Sequence, residues 1–118
     1  MKSALVHWEL MVRDVEQAKR FYGAIFGWTF SPAGPEYTMI DAGAAPGGGL
    51  MPRPPGVEMS AFNTYFAVED VDATLHRVVE TGGNVIVPRM EIPGVGWFAM
   101  FTDPEGIPIG VFQTKPGA

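Results

Sequence analysis

No cysteine occurs anywhere in the 118 residues. That one absence removes disulfide frames, thiolate nucleophiles and cysteine–zinc sites, and it suits a reducing compartment. Positive charge is scarce: 8 Lys and Arg stand against 13 Asp and Glu, for a net charge of -5 and no basic run. Nucleic acid and anionic membrane surfaces are therefore not expected partners. Long apolar runs are missing too. The opening Met1-Lys-Ser-Ala-Leu-Val-His-Trp-Glu9 is too short an apolar stretch for a signal peptide, and nothing reaches membrane-spanning length. A cytoplasmic location is the expectation. What remains is 47% hydrophobic and 18% charged, a globular composition rather than a disordered one. The length suits a single domain, residues 1–118, with a proper core.

The chain is organised around a stretch that occurs twice. Val68-Glu-Asp-Val-Asp72 to Gly82-Gly83 falls on Val12-Arg-Asp-Val-Glu16 to Gly27 when moved back 56 positions. Val12 meets Val68, Asp14 meets Asp70, Val15 meets Val71 and Gly27 meets Gly83. Each copy follows an apolar run and opens on an aspartate able to cap a helix. Glu16 and Asp72 then place negative charge in the first turn, where the helix dipole favours it. Each copy closes on glycine, the common helix stop. Because the matched positions are capping positions, either descent from a repeat or convergence on good caps explains them. Read as a repeat, they predict two strand–helix units in tandem.

Leu5 to Val12 reads as a strand with two rows. Val6, Trp8, Leu10 and Val12 form one; Leu5, His7, Glu9 and Met11 form the other. The even row should face the core, since Glu9 would be costly there. A helix is predicted from Val15 to about Phe26, with short strands at Trp28–Phe30, Tyr37–Asp41 and Leu50–Met51. Pro52-Arg-Pro-Pro-Gly56 reads as a linker. The second half repeats the plan: a strand from Phe62 to Val68, a helix from Val71 to about Thr81, and a strand Val85–Val87 ended by Pro88. Ile92 to Gly96 reads as a loop, followed by strands Trp97–Thr102 and Ile107–Gln113 joined by the type I turn Asp103-Pro-Glu-Gly106. The expected fold is α+β: two tandem βαβββ units forming a curved, mostly antiparallel sheet around a cleft, helices on the outer face. Unit one spans about 4–52, the linker about 53–60 and unit two about 61–115.

These stretches together resemble the vicinal oxygen chelate superfamily, which includes glyoxalase I, bleomycin-resistance proteins and extradiol dioxygenases. The resemblance rests on Val12-Arg-Asp-Val-Glu-Gln-Ala-Lys-Arg-Phe-Tyr22, Phe26-Gly-Trp28, Gly47-Gly-Gly-Leu-Met51, Tyr65-Phe-Ala-Val-Glu-Asp-Val-Asp-Ala73, Glu91-Ile-Pro-Gly-Val-Gly96 and Asp103-Pro-Glu-Gly106, and it covers nearly the whole chain. It looks most like the small single-domain glyoxalase-like members. The resemblance implies a homodimer and, in metal-binding members, one ligand from each of four strands. Spacing carries those places to His7, Gly48, Asn63 and Gly110. Two glycines and an amide make a poor transition-metal set, so no metal and no cofactor is expected.

His7 and Glu9 share a strand face. They read as an acid–base pair, or as polar residues on a half-wet sheet. Asn63 and Tyr65 hold the equivalent face of the second half, as ligand contacts or as partners of nearby backbone. Parity with Gly48 and Gly110 adds Leu50 and Phe112 as an apolar floor. Met11 completes the face, and the two halves are expected to meet in one pocket. Between Trp97 and Phe98, the sequence does not say which faces the cleft. Gly47-Gly-Gly49 lacks the helix and Lys-Ser/Thr pair of a phosphate loop. The expected function is binding of a small organic molecule, with catalysis as a metal-independent lyase or isomerase through His7 and Glu9. The alternatives are a non-catalytic drug- or toxin-sequestering protein of the bleomycin-resistance kind, and a metal-dependent lyase or dioxygenase using other ligands.

Overall fold

The computed structural model describes residues 2–116, in which eight strands and two helices make an α+β protein. In chain order these are β1 (Leu5–Val12), α1 (Val15–Phe26), β2 (Thr29–Pro32), β3 (Thr38–Asp41) and β4 (Gly48–Pro52). Then come β5 (Ala61–Ala67), α2 (Val71–Glu80), β6 (Asn84–Ile92), β7 (Gly96–Thr102) and β8 (Pro108–Thr114). Each half is thus strand, helix and three strands. The chain divides into two compact units, one made of His7–Asn63 and the other of the segments before and after it.

In the first unit β1 and β4 run parallel, while β4–β3 and β3–β2 are antiparallel. Asp14 caps α1, its carboxylate accepting from the Gln17 N–H at 3.0 Å. The helix stops at Gly27, whose φ of 69° is a left-handed conformation that glycine adopts without steric cost. Its Ala18 packs with Trp8, Ile40 and Leu50, bordered by Leu10, Val12, Val15, Tyr22, Trp28 and Phe30. The indole of Trp8 lies across Gly48, where a Cβ would stand 2.6 Å from the ring, and its Nε1–H donates to the Pro46 carbonyl at 3.0 Å.

That register corrects one expectation. Trp8 pairs with Gly48 and Leu10 with Leu50, so Gly48 and Leu50 lie on the helix side. Leu50 is only 1% exposed and belongs to the core, not to the floor of an open face. The spacing that pointed to Gly48 misses by one because the connection between β3 and β4, residues 42–47, is one residue longer than the turn at residues 103–107 in the other half. Gly49, opposite Glu9, takes the place assigned to Gly48.

The second unit repeats the pairing: β5 and β8 are parallel, with β8–β7 and β7–β6 antiparallel. Asp70 caps α2 through the Ala73 N–H, and the Gln113 side chain accepts from the Val71 N–H at 2.8 Å. Val71, Leu75, Ala99 and Val111 are its core, with Val68, Trp97 and Phe101 alongside. The Asp103 carboxylate accepts from the N–H groups of Glu105 and Ile107, fixing the predicted turn. Most element ends in this half fall within a residue of expectation, and the larger difference is at β6. β6 continues through Pro88 and takes in the start of the expected Ile92–Gly96 loop. Among the described residues β6 pairs with β7 alone, and its register slips on both sides of Val87, which lets the missing proline N–H do no harm.

Candidate active face on strand β1

Alternation along β1 sends Trp8, Leu10 and Val12 under α1, and hence His7, Glu9 and Met11 to the other side of the strand. The pairing extends this face to Met51, beside Met11, and to Gly49, which lies between Glu9 and Met39. Tyr37, just ahead of β3, reaches over Gly49. A Cβ at position 49 would stand 1.7 Å from the tyrosine oxygen, so only glycine leaves the ring its place.

The Tyr37 hydroxyl joins His7 to Glu9. It lies 2.7 Å from His7 Nε2 and donates to Glu9 Oε2 at 2.9 Å. A hydroxyl carries one proton. With that proton committed to the carboxylate, the tyrosine oxygen accepts from His7 Nε2–H. The neutral ring then carries its basic lone pair on Nδ1. Burial lowers the His7 pKa from its ordinary 6.5, and the Glu9 charge pulls it partway back. The imidazole is therefore neutral at pH 7, with a carboxylate positioned to favour the charged form if a proton arrives.

His7 and Glu9 are thus linked through a residue that spacing did not single out. Tyr37 has no counterpart at the repeat offset, which falls on Pro93. Its signal is the glycine opposite it, legible only once the β3–β4 register is known. Asn63 is 9% exposed, at the first unit's end of β5. Tyr65 and Phe112 fall in the second unit. There the Tyr65 ring lies over Gly110, 2.4 Å from a hypothetical Cβ. Its edge meets Phe98 at a ring separation of 6.3 Å, and its hydroxyl points at the Met100 sulfur, 4.0 Å away. Phe112 pairs with Phe98 on that same side. Trp97 packs instead with the α2 core, so Phe98 is the one that shares the Tyr65 face.

The family's metal places do not fit a metal here. His7 is the one strong donor among His7, Gly49, Asn63 and Gly110, and tyrosine side chains fill the space over both glycines. Among the described residues no group of three or more His, Cys, Asp or Glu side chains is placed to hold an ion. Nor, among them, is any helix long and apolar enough to cross a membrane.

The "Putative glyoxylase CFP32" of Mycobacterium bovis is 34% identical over 115 residues, which cover 91% of this chain and 44% of that protein. A "Glyoxylase-like domain-containing protein" of Didymella fabae is 30% identical over 118 residues, covering 92% of this chain and 91% of its own. The chain therefore spans less than half of the first relative and nearly all of the second. Among solved structures, methylmalonyl-CoA epimerase from Mycobacterium tuberculosis superposes with a TM-score of 0.72 at 16% identity, over 95% of this chain and 88% of that one, a likeness of fold alone. Residues 4–111 match the model of the Glyoxalase/Bleomycin resistance protein/Dioxygenase superfamily. With the βαβββ pairing in each half, that match places the chain in this superfamily.

Proposed function

We propose that the chain binds a small organic molecule against the His7–Tyr37–Glu9 face and acts on it as a metal-independent lyase or isomerase. The observation that carries the reading is the Tyr37 hydroxyl held between His7 and Glu9 at 2.7 and 2.9 Å. A neutral imidazole with its proton on Nε2 is a base at Nδ1. On taking a proton from a carbon beside a carbonyl it becomes an imidazolium. Tyr37 and Glu9 then hold that cation through two hydrogen bonds, as an orienting group does for a general base. The electron pair left on the carbon moves toward the carbonyl oxygen. Return of the proton to the neighbouring atom completes an isomerisation, and loss of a leaving group in its place completes an elimination. Each outcome conserves the proton, with no oxidant and no hydride acceptor.

The test is solvent-deuterium exchange. The protein is incubated in D₂O with a panel of α-hydroxy ketones and β-substituted ketones, and the recovered compounds are read by NMR. Deuterium is expected at the acidic carbon of at least one class, lost in His7→Ala. Compounds recovered bound but unlabelled would favour the second reading, non-catalytic sequestration, to which a methionine-lined face is equally suited.

A further inference from the structure

The two helices hold equivalent places in the repeat, yet their outer surfaces differ. Beside α1 lies a hollow of about 430 Å³ whose lining includes Val12, Arg13, Asp14, Gln17, Phe21 and Ser60. Phe21 is 57% exposed, and Ile25, one turn further along the same row of the helix, is 60% exposed. Met59 and Phe62, on either side of Ser60 in the chain, are 79% and 60% exposed. Moving on 56 positions replaces Arg13 by Glu69, Phe21 by Arg77 and Ile25 by Thr81. The corresponding hollow beside α2 is lined by Glu69, Asp70 and Arg77 among others. The first helix thus shows water apolar residues where the second carries polar ones.

An exposed apolar patch of several hundred Å² marks a contact surface. Large side chains of this kind each bury about 150–250 Å² when covered, so at the exposures above the four together present roughly 400–600 Å² per copy. A standard pairing buries about 800 Å² on each partner, of which about 56–65% is apolar. These four side chains are enough for that apolar share. Charge then says what fits against them. Arg13 and Asp14 are adjacent, exposed and opposite in sign. Asp14 caps α1 through one carboxylate oxygen. Among the described residues neither side chain has an ion-pair partner within 4.0 Å. A two-fold axis beside them brings Arg13 of one copy to Asp14 of the other and makes the same contact in return, the self-complementary pattern of a symmetric dimer. The equivalent residues beside α2, Glu69 and Asp70, would set carboxylate against carboxylate.

We propose that the chain pairs with a second copy of itself through the α1 hollow, with Phe21, Ile25, Met59 and Phe62 at the centre of the contact and Arg13 facing Asp14 of the second copy. α1 packs on the Trp8 side of β1. The pairing therefore leaves the His7–Tyr37–Glu9 face open, and it stands independently of the function proposed above.

Sedimentation equilibrium of the whole chain tests it. The wild type is expected as a dimer at micromolar concentration, with a melting temperature that rises with protein concentration. The double variant Phe21→Arg, Ile25→Thr gives α1 the residues that α2 carries at the same places, both at exposed positions. It should raise the dimer Kd by at least about thirty-fold, the mark of a central interface residue, and melting should lose its concentration dependence. Met59→Glu, outside both helices, should act in the same direction and serves if the double variant fails to fold. Arg13→Glu should weaken the dimer about ten-fold at low salt, the worth of two exposed ion pairs, and added salt should shrink the difference. Val79→Ser removes an exposed apolar residue from α2 instead and should leave the dimer intact. A wild type that is monomeric at micromolar concentration would overturn the proposal. So would a dimer that survives Met59→Glu and the double variant, one that Arg13→Glu leaves as tight as before, or one lost in Val79→Ser.

Discussion

Adding one methyl group at Gly49 should dismantle the His7–Tyr37–Glu9 link while leaving the fold in place. The alanine Cβ would lie 1.7 Å from the Tyr37 oxygen, 2.2 Å from Cζ and 2.7 Å from Cε2. Ordinary contact needs more than 3.4 Å, so the ring must swing away and both hydrogen bonds break. Their net worth is about 1–3 kcal/mol together, at the low end because half-buried groups find water. Against this, alanine in a strand gains about 0.5–1 kcal/mol over glycine. The balance is a destabilisation of about 0–2 kcal/mol, too small for melting to decide. His7 decides instead. Removing the ring that covers it relieves desolvation, the larger cause of its lowered pKa, so the titration should move up toward the ordinary value. Tyr37→Phe keeps the cover and removes only the hydroxyl, so there the pKa should stay low. Gly48→Ala is the control one residue away. It presses on the Trp8 ring at 2.6 Å and should cost about 1–3 kcal/mol as overpacking, with the His7 titration unmoved. NMR titration of the three variants distinguishes these outcomes. A Gly49→Ala protein whose His7 titrates as in the wild type would show that Tyr37 does not cover the imidazole.

The two rows of β1 predict a second contrast: Trp8→Ala should cost about 3–5 kcal/mol as a large-to-small core change. His7→Ala should leave chemical denaturation nearly unchanged, and an equal loss in both would contradict the face assignment. The lowered His7 pKa fixes a pH dependence with a definite sign. Below about pH 6.5 the unfolded chain takes up a proton that folded His7 refuses, so stability should fall with pH until the folded value is reached and then level off. His7→Gln should remove that slope, and a slope that persists would assign it elsewhere. Adding Zn²⁺, Ni²⁺ or Mn²⁺, or removing metal with EDTA, should shift melting little, because an ion bound to the native state alone must raise stability. A metal-dependent rise lost in His7→Ala would overturn the donor-set argument.

The parts of the fold written in single residues were legible. Asp14 and Asp70 cap helices, Gly27 ends one, and Asp103-Pro-Glu-Gly106 turns the chain. Period-two alternation also separated Trp8 from His7 correctly. Register was not legible, because it depends on connections whose lengths differ between the halves. Leu50 was misplaced for that reason, since a shift of one residue exchanges the two faces of a strand. Tyr37 was hidden for the same reason. Its role depends on lying over Gly49, and nothing local to residue 37 announces that contact. Pro88 misled because proline is a strand breaker in the middle of a sheet and a tolerated residue at a bulge.

Whether His7 can act as a base at Nδ1 depends on where its single proton sits. ¹⁵N NMR of the imidazole nitrogens at pH 7, in the wild type and in Tyr37→Phe, locates that proton directly. The expected result is a neutral His7 protonated on Nε2, with the Nε2 resonance shifted when the Tyr37 hydroxyl is removed. A proton on Nδ1, or an imidazolium already present at pH 7, would leave His7 without the basic lone pair that the proposed chemistry requires.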